Sequence, residues 1–101
     1  MISLIIVVEV DPEKTEMFRE YLCEEASDAV SKEPGCRDFV VSQSKEEPHV
    51  FTLAEFYDDP AALEAHRLTP HFLLFQDRVK THELIKSKRE VITGDVIFAG
   101  A

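Results

Sequence analysis

The chain has 101 residues, with 20 acidic and 11 basic side chains and a net charge of −9. This length predicts a single domain over residues 1–101, whose small core would gain from a partner subunit. The negative charge has the wrong sign for binding nucleic acid or an anionic membrane, both of which attract basic surfaces. Neither class of partner is therefore expected.

The apolar start of the chain, Met1–Val10, is predicted to be a strand rather than a targeting or membrane segment. It has no basic start and no small-residue cleavage site, and Glu9 ends its apolar run, whereas a membrane helix needs about 20 apolar residues. The two cysteines, Cys23 and Cys36, are too few for a disulfide framework and are expected to be buried, reduced thiols. These features predict a cytoplasmic protein.

Hydrophobic periodicity predicts the elements of the first half. A nearly continuous run rich in Ile and Val marks Ile2–Val10 as a buried strand. Asp11 can cap the helix that follows, Pro12 suits its first turn, and apolar residues at helical spacing continue it to about Ser31. A second strand is predicted at 36–44.

In the second half, a third strand is predicted at about 49–57, after a polar turn, and a short helix follows it. Thr69-Pro70 then caps and opens another helix. The basic residues between 80 and 89 suit the C-terminus of that helix. The last strand is therefore expected at about 90–98, with a bulge at Gly94.

This order, β-α-β-β-α-β, predicts the α+β, ferredoxin-like split βαβ fold, with a four-stranded antiparallel sheet and helices on one face. The uncovered face should be polar, yet the first strand carries Ile6 on one face and Ile5 and Val7 on the other. An exposed apolar face of this size would favour aggregation. The pattern therefore predicts a two-fold homodimer that forms through the sheet.

Several short motifs occur in a characteristic order: Glu33-Pro34-Gly35-Cys36, then Phe51-x-Leu53-x-Glu55-Phe56-Tyr57, then Ala62 and His66-x-x-Thr69-x-His71-Phe72. With these motifs the chain resembles the antibiotic biosynthesis monooxygenase domain of the dimeric α/β-barrel superfamily. The resemblance implies a homodimer in which each subunit holds an apolar cavity for a small-molecule substrate. It also implies a cofactor-independent monooxygenase, in which a deprotonated quinol or aromatic phenol reacts directly with dioxygen.

The resemblance leaves alternatives open. Other family members isomerise a phosphorylated autoinducer sugar derivative, and such an isomerase would need a basic phosphate contact, for which Arg37, Arg67 and Lys45 are the candidates. Relatives in the wider superfamily degrade haem with a tryptophan and an axial histidine, but this chain has no tryptophan. A third possibility is a ligand-binding module without catalysis on the same fold.

The candidate catalytic residues are His66, His71 and Tyr57. His66 follows a short helix, and an imidazole pKa of about 6.5 suits proton exchange with a phenol; a structural hydrogen bond to a backbone carbonyl is the alternative. His71 lies in a first helical turn, where it could exchange a proton or cap the helix. Tyr57 could bind a substrate oxygen, although a tyrosine at a strand end is more often a core residue.

The candidate substrate-binding residues include Glu55 and Arg37. Glu55 would be a buried carboxylate if the helices cover its face of the strand, and such groups are paired or functional. A salt bridge from Glu55 to Arg37, or to the partner subunit, is the structural alternative. Four aromatic side chains could line a pocket for a flat ligand or simply pack the core, namely Phe39, Phe51, Phe72 and Phe75.

No metal site and no cofactor are predicted. His66 and His71 are five residues apart with Pro70 between them, unlike the i, i+4 pair of a helical zinc motif. The chain also has no Gly-rich phosphate loop, no Rossmann fingerprint and no nucleophile elbow. Nucleotide, flavin and serine-hydrolase chemistry are therefore not expected.

Overall fold

A computed structural model describes residues 1–100. Strands β1 to β4 form one antiparallel sheet in the order β2-β3-β1-β4 and span Ile2–Val10, Cys36–Gln43, Val50–Tyr57 and Ile85–Asp95. Helices α1 to α3 span Thr15–Lys32, Pro60–His66 and Pro70–Thr81. This arrangement confirms the predicted ferredoxin-like α+β fold. None of the three helices is both long and apolar enough to cross a membrane.

The chain enters α1 through the predicted capping residue. Asp11 Oδ1 accepts a hydrogen bond from the Glu13 N–H at 3.0 Å. The first turn is a 3-10 turn at Pro12–Lys14, however, and the α-helix itself begins at Thr15. The side chain of Asp11 and the fixed φ of proline therefore start the helix as expected, one short turn ahead of regular α geometry.

Strand β4 begins at Ile85, five residues before the predicted start at Glu90. The chain reverses at Glu83, whose φ of 51° lies in the left-handed region. Leu84 is then fully buried, and its carbonyl accepts a hydrogen bond from the Asp11 N–H at 2.9 Å. The prediction for this segment was wrong because β4 is an edge strand that carries the basic residues expected at the helix end, Lys86, Lys88 and Arg89.

The predicted bulge is also at another position. Gly94 pairs in register with Ser3, and the register between β1 and β4 instead shifts at Val7/Val8 and at Glu9/Val10. The first shift leaves Arg89 without a paired residue on β1, and its Nη2 lies 2.9 Å from Glu9 Oε2. The glycine was therefore a misleading signal, because the irregularity lies where Arg89 reaches a carboxylate.

The core lies between the helices and one face of the sheet. Phe18 on α1 is fully buried, and its ring centroid lies 5.1 Å from that of Phe51 and 6.0 Å from that of Phe75. Cys36 is buried as predicted, but Cys23 is exposed on α1, contrary to expectation, and both thiols are free. Burial raises the pKa of the Cys36 thiol to about 11, so that it stays protonated.

The opposite face of the sheet carries a continuous apolar row. Val40, Ala54, Ile5 and Ile92 are paired in register across all four strands. Val40 is 46% exposed and Ile92 is 52% exposed. Leu4 and Leu53, their alternating neighbours, point into the core, which places the row on the face opposite α1, α2 and α3.

Replacing Gly35 by alanine is expected to lower the free energy of unfolding by about 1–3 kcal/mol through overpacking. A Cβ at position 35 would lie 2.6 Å from the Cβ of Ala62, so α2 would have to move outward. Urea denaturation would measure the loss. Gly100→Ala is the matched control, because its added Cβ meets nothing within 4 Å. Equal stability of Gly35→Ala and the unchanged protein would contradict the tight contact.

Candidate functional site

A cavity of about 550 Å³ lies between the sheet and the helices. Its wall is largely apolar and includes side chains from all four strands and all three helices, among them Phe39, Leu53, Leu63, Phe72 and Phe75. Three buried polar side chains also line it, Glu25, Glu55 and His66. A flat apolar ligand would therefore meet acid–base groups beside an apolar wall.

Capping interactions at both ends of α2 fix the position of His66. At the start of the helix, Asp59 Oδ1 accepts a hydrogen bond from the Ala62 N–H at 2.8 Å. Beyond its end, Thr69 Oγ1 donates to the His66 carbonyl at 2.7 Å and accepts from the Phe72 N–H at 3.3 Å. Thr69 thus links the last residue of α2 to the first turn of α3, and His66 is only 2% exposed.

Glu33, just after α1, binds both imidazoles of the site. Its Oε1 and Oε2 lie 3.0 Å and 2.8 Å from His66 Nδ1, and Oε2 also contacts His71 Nε2. Since a carboxylate only accepts hydrogen bonds, His66 carries its proton on Nδ1. The lone pair of the neutral ring therefore lies on Nε2.

His66 Nε2 faces the two other buried carboxyl groups. It lies 3.7 Å from Glu25 Oε1 and 3.9 Å from Glu55 Oε1, both beyond hydrogen-bond distance. Burial lowers the pKa of His66 below its ordinary value, although the hydrogen bond to Glu33 opposes this effect. The imidazole is therefore uncharged near neutral pH, with an available basic nitrogen beside the cavity.

Tyr57 holds Glu55 rather than reaching the cavity itself. Its hydroxyl donates to Glu55 Oε1 at 2.6 Å, and the phenol ring is fully buried. Burial raises the pKa of Glu55 to about 7, partly offset by this hydrogen bond, and burial raises the pKa of Tyr57 far above its ordinary value. The predicted salt bridge from Glu55 to Arg37 is wrong, because the exposed Arg37 pairs with Asp58.

Glu25 was missed by the sequence reasoning. It is 4% exposed, and its Oε1 has no hydrogen-bond partner within residues 1–100. Burial, reinforced by the nearby charges of Glu55, Glu33 and Asp28, raises the pKa of Glu25 to about 8. At neutral pH this carboxyl group is therefore mostly protonated.

A signal for Glu25 was present in the sequence. It lies three residues after Leu22 and four before Ala29, on the apolar stripe of α1 rather than on its charged face. A carboxyl group at such a position is desolvated when the helix packs. Glu33 was recognised only as part of the motif that ends the helix, and nothing local to it indicates that it binds two histidines.

The other predicted site residues divide by location. His71 lies behind Glu33, at the second residue of α3, and is partly buried. Phe39, Phe72 and Phe75 line the cavity, as the aromatic-pocket prediction requires. Phe51 packs in the core against Phe18, and the exposed Arg37 side chain does not line the cavity.

The cluster also contains groups that could hold a metal ion. Glu25, Glu33, His66 and His71 offer donor atoms within 4.8 Å of one another, and imidazole with carboxylate is a common donor set for divalent ions. The spacing of the two histidines along the chain does not reveal this donor set, because both glutamates come from the first third of the sequence. Hydrogen bonds to Glu33 occupy His66 Nδ1 and His71 Nε2, whereas His66 Nε2 is free of hydrogen bonds within residues 1–100. The same cluster, with its free imidazole nitrogen, can also carry out acid–base chemistry.

Solved structures similar to this chain share its whole fold. Two that carry the name antibiotic biosynthesis monooxygenase come from Bacteroides thetaiotaomicron and Nitrosomonas europaea. The first is 29% identical, with a TM-score of 0.88 over 99% of this chain and 92% of that one. The second is 28% identical, with a TM-score of 0.88 over 97% of this chain and 100% of that one.

A protein of Pseudomonas aeruginosa is also similar, at 25% identity and a TM-score of 0.85, covering 96% of this chain and 94% of that one. Among curated proteins, none matches the chain. The family model described as antibiotic biosynthesis monooxygenase matches residues 1–78, which include Glu25, Glu33, Glu55 and both histidines of the cluster. The chain therefore belongs to the antibiotic biosynthesis monooxygenase family.

Proposed function

We propose that the protein is a monooxygenase that oxidises a quinol or an aromatic phenol with dioxygen, without a metal or organic cofactor. The observation that carries the proposal is the arrangement of His66, whose Nδ1 is held by Glu33 while its ring lines an apolar cavity. Membership of the family supports a monooxygenase type of function. The substrate class follows from what such a cavity and base can activate.

In the first step His66 Nε2 takes the proton from the substrate hydroxyl. Glu33 supports this step, because its contact with Nδ1 stabilises the imidazolium that forms. The phenylalanines of the cavity wall hold the ring of the phenolate and exclude water. The anion is then electron-rich enough to react with dioxygen directly.

The overall reaction balances without another reductant. The substrate loses its phenolic O–H hydrogen and one ring C–H hydrogen, and the four electrons that reduce dioxygen come from the substrate. One oxygen atom becomes a new carbonyl oxygen of a quinone, and the other leaves as water together with the two hydrogens. His66 carries one of these protons between the hydroxyl and the leaving oxygen.

Oxygen dependence tests this proposal. A panel of quinols and polycyclic phenols is incubated with the protein in EDTA, and dioxygen uptake is compared with quinone formation. We expect one dioxygen consumed per quinone, a label from ¹⁸O₂ in the product, and no loss of rate in EDTA. Turnover that continues under anaerobic conditions would exclude oxygenation, and turnover lost in EDTA would exclude the metal-free mechanism.

A second candidate is an isomerase of a small phosphorylated dicarbonyl, in which the imidazole moves a proton between carbon atoms. Three basic side chains line the cavity, Arg67, Lys80 and Lys88, and they favour an anionic group there. Of the basic residues suggested for a phosphate, Arg67 is the one on the cavity wall. This reaction consumes no dioxygen, so the oxygen electrode separates it from oxygenation.

We also propose that two copies associate through the apolar row Val40, Ala54, Ile5 and Ile92. An open face of this kind is costly in a monomer, and a two-fold axis would bury it against itself. In analytical ultracentrifugation the unchanged protein is expected to sediment as a dimer and Ile92→Glu as a monomer, because the substitution places a charge in the face that the dimer would bury. Leu68→Glu is the control, since Leu68 is 77% exposed and outside the row. A stable monomer of the unchanged protein at micromolar concentration would contradict the proposal.

A further inference from the structure

We propose that Glu25 is a substrate-binding residue, whose carboxyl group donates a hydrogen bond to the oxygen from which His66 removes the proton. The inference rests on the proposed function and extends it. It assigns a second contact to the substrate hydroxyl, on α1 rather than on α2. It also predicts that the site selects ligands whose oxygen accepts a hydrogen bond after ionisation.

The geometry brings Glu25 and His66 to the same point of the cavity wall. Both side chains line the cavity, and Glu25 Oε1 lies 3.7 Å from His66 Nε2. This distance is too long for a direct hydrogen bond but short enough for one oxygen atom to contact both groups. The terminal torsion of a glutamate side chain is soft, so the carboxyl can turn either oxygen toward the cavity.

The hydrogen bonding of Glu25 also points to a missing partner. Its Oε1 is buried and has no partner within residues 1–100. A buried polar atom without a partner costs free energy, and native proteins rarely leave one unsatisfied. Glu55 has a hydrogen bond from Tyr57, and Glu33 has hydrogen bonds from the two histidines. Glu25 is therefore the carboxyl group of the cluster whose missing hydrogen bond a ligand can supply.

The surrounding charges determine which form of Glu25 binds. Glu55 faces Glu25 from β3, and neutral His66 faces it from α2. Asp28 lies on the same helix as Glu25, and Glu33 is the residue just after that helix. The acidic neighbours and burial keep a proton on Glu25 at neutral pH. A protonated carboxyl donates a hydrogen bond, whereas an ionised one only accepts and would repel a phenolate. Binding should therefore weaken as Glu25 loses its proton.

Binding of 4-nitrophenol under anaerobic conditions tests the inference, because its phenolate absorbs visible light and reports ionisation in the site. At pH 7 we expect Glu25→Ala to weaken binding about tenfold or more. Free 4-nitrophenol loses its own proton near neutral pH, which raises Kd for every variant as pH rises. For the unchanged protein, ionisation of Glu25 should add a further rise of about tenfold for each pH unit above about 8. Glu25→Gln keeps a donor at every pH and should lack that additional rise. Glu20→Gln, on the exposed face of the same helix, is the matched control.

Each outcome decides between the proposals. If Glu25→Gln keeps the pH dependence of the unchanged protein, or if folded Glu25→Ala binds the probe normally, the role of Glu25 is overturned. If Glu25 controls binding but no quinol consumes dioxygen, the proposed oxygenation fails while this inference stands. Normal dioxygen consumption by a Glu25→Ala variant would overturn the inference alone. Should Glu25→Ala fail to fold, the nearly isosteric Glu25→Gln still decides the question.

Discussion

Replacing His66 by asparagine is expected to lower kcat by about 100- to 10,000-fold, the range that a positioned general base contributes. Asparagine retains a side-chain N–H that can donate to Glu33, but it has no basic nitrogen to take the place of Nε2. The fold should survive, because the caps at Asp59 and Thr69 do not use the imidazole. The measurement is single-turnover quinone formation together with a thermal melt.

Two other histidines serve as controls for this result. His71→Asn should lower kcat less, because His71 reaches the site only through Glu33 and would act as a positioning residue. His49→Asn should leave kcat unchanged, because its Nε2 lies 3.2 Å from Glu9 Oε2, away from the cavity. A His66→Asn variant that keeps its turnover but melts at a lower temperature would show that the imidazole is structural.

The sequence was sufficient to predict the fold wherever local signals and tertiary contacts agree. A nearly continuous apolar run marks β1, alternating apolar residues mark β3, and Thr69 caps α3 as its position before Pro70 suggests. The prediction failed at β4, where the polar composition of 85–90 gives no strand period. Burial of Leu84 and pairing with β1 determine the start of that strand, and neither effect is local.

The site was predictable only in part, for a related reason. The histidines and Glu55 were identified because imidazole and carboxylate near an aromatic segment already suggest chemistry. The roles of Glu25 and Glu33 depend on contacts between residues that are more than 30 positions apart in the sequence. Glu33 and His66, for example, are separated by 33 positions. A single sequence contains no direct record of such contacts. The apolar stripe around Glu25 was the one accessible clue.

Replacing Glu25 by glutamine is expected to raise the free energy of unfolding at pH 8.5 by several kcal/mol. In the folded protein burial raises the pKa of Glu25 from its ordinary 4.5 to about 8. Between these two values the unfolded chain has lost the proton that the folded protein still binds, so stability falls as pH rises. The difference between the two pKa values corresponds to a destabilisation of roughly 5 kcal/mol, which is complete above pH 8. Below about pH 4.5 both states are protonated and the penalty disappears.

Two other buried groups shape the same stability profile. Burial raises the pKa of Glu55 to about 7, so its ionisation also destabilises the folded protein as pH rises. In the Glu25→Gln variant the free energy of unfolding should therefore still fall with pH, but less steeply. His66, with a lowered pKa, acts in the opposite direction and destabilises the fold as pH falls below about 6.5. Between pH 4.5 and 6.5 the two carboxyl groups outweigh the single imidazole, so stability should still fall as pH rises.

Urea denaturation at pH 5.5, 7 and 8.5 checks this prediction, with Glu20→Gln as an exposed control on the same helix. The stability difference between Glu25→Gln and the unchanged protein should widen steadily with pH, whereas Glu20→Gln should run parallel to the unchanged protein. Parallel curves for Glu25→Gln would mean that Glu25 ionises at its ordinary pKa in the folded state. Such a carboxylate could not donate to a phenolate, so this result would also remove the electrostatic basis for Glu25 as a substrate-binding residue.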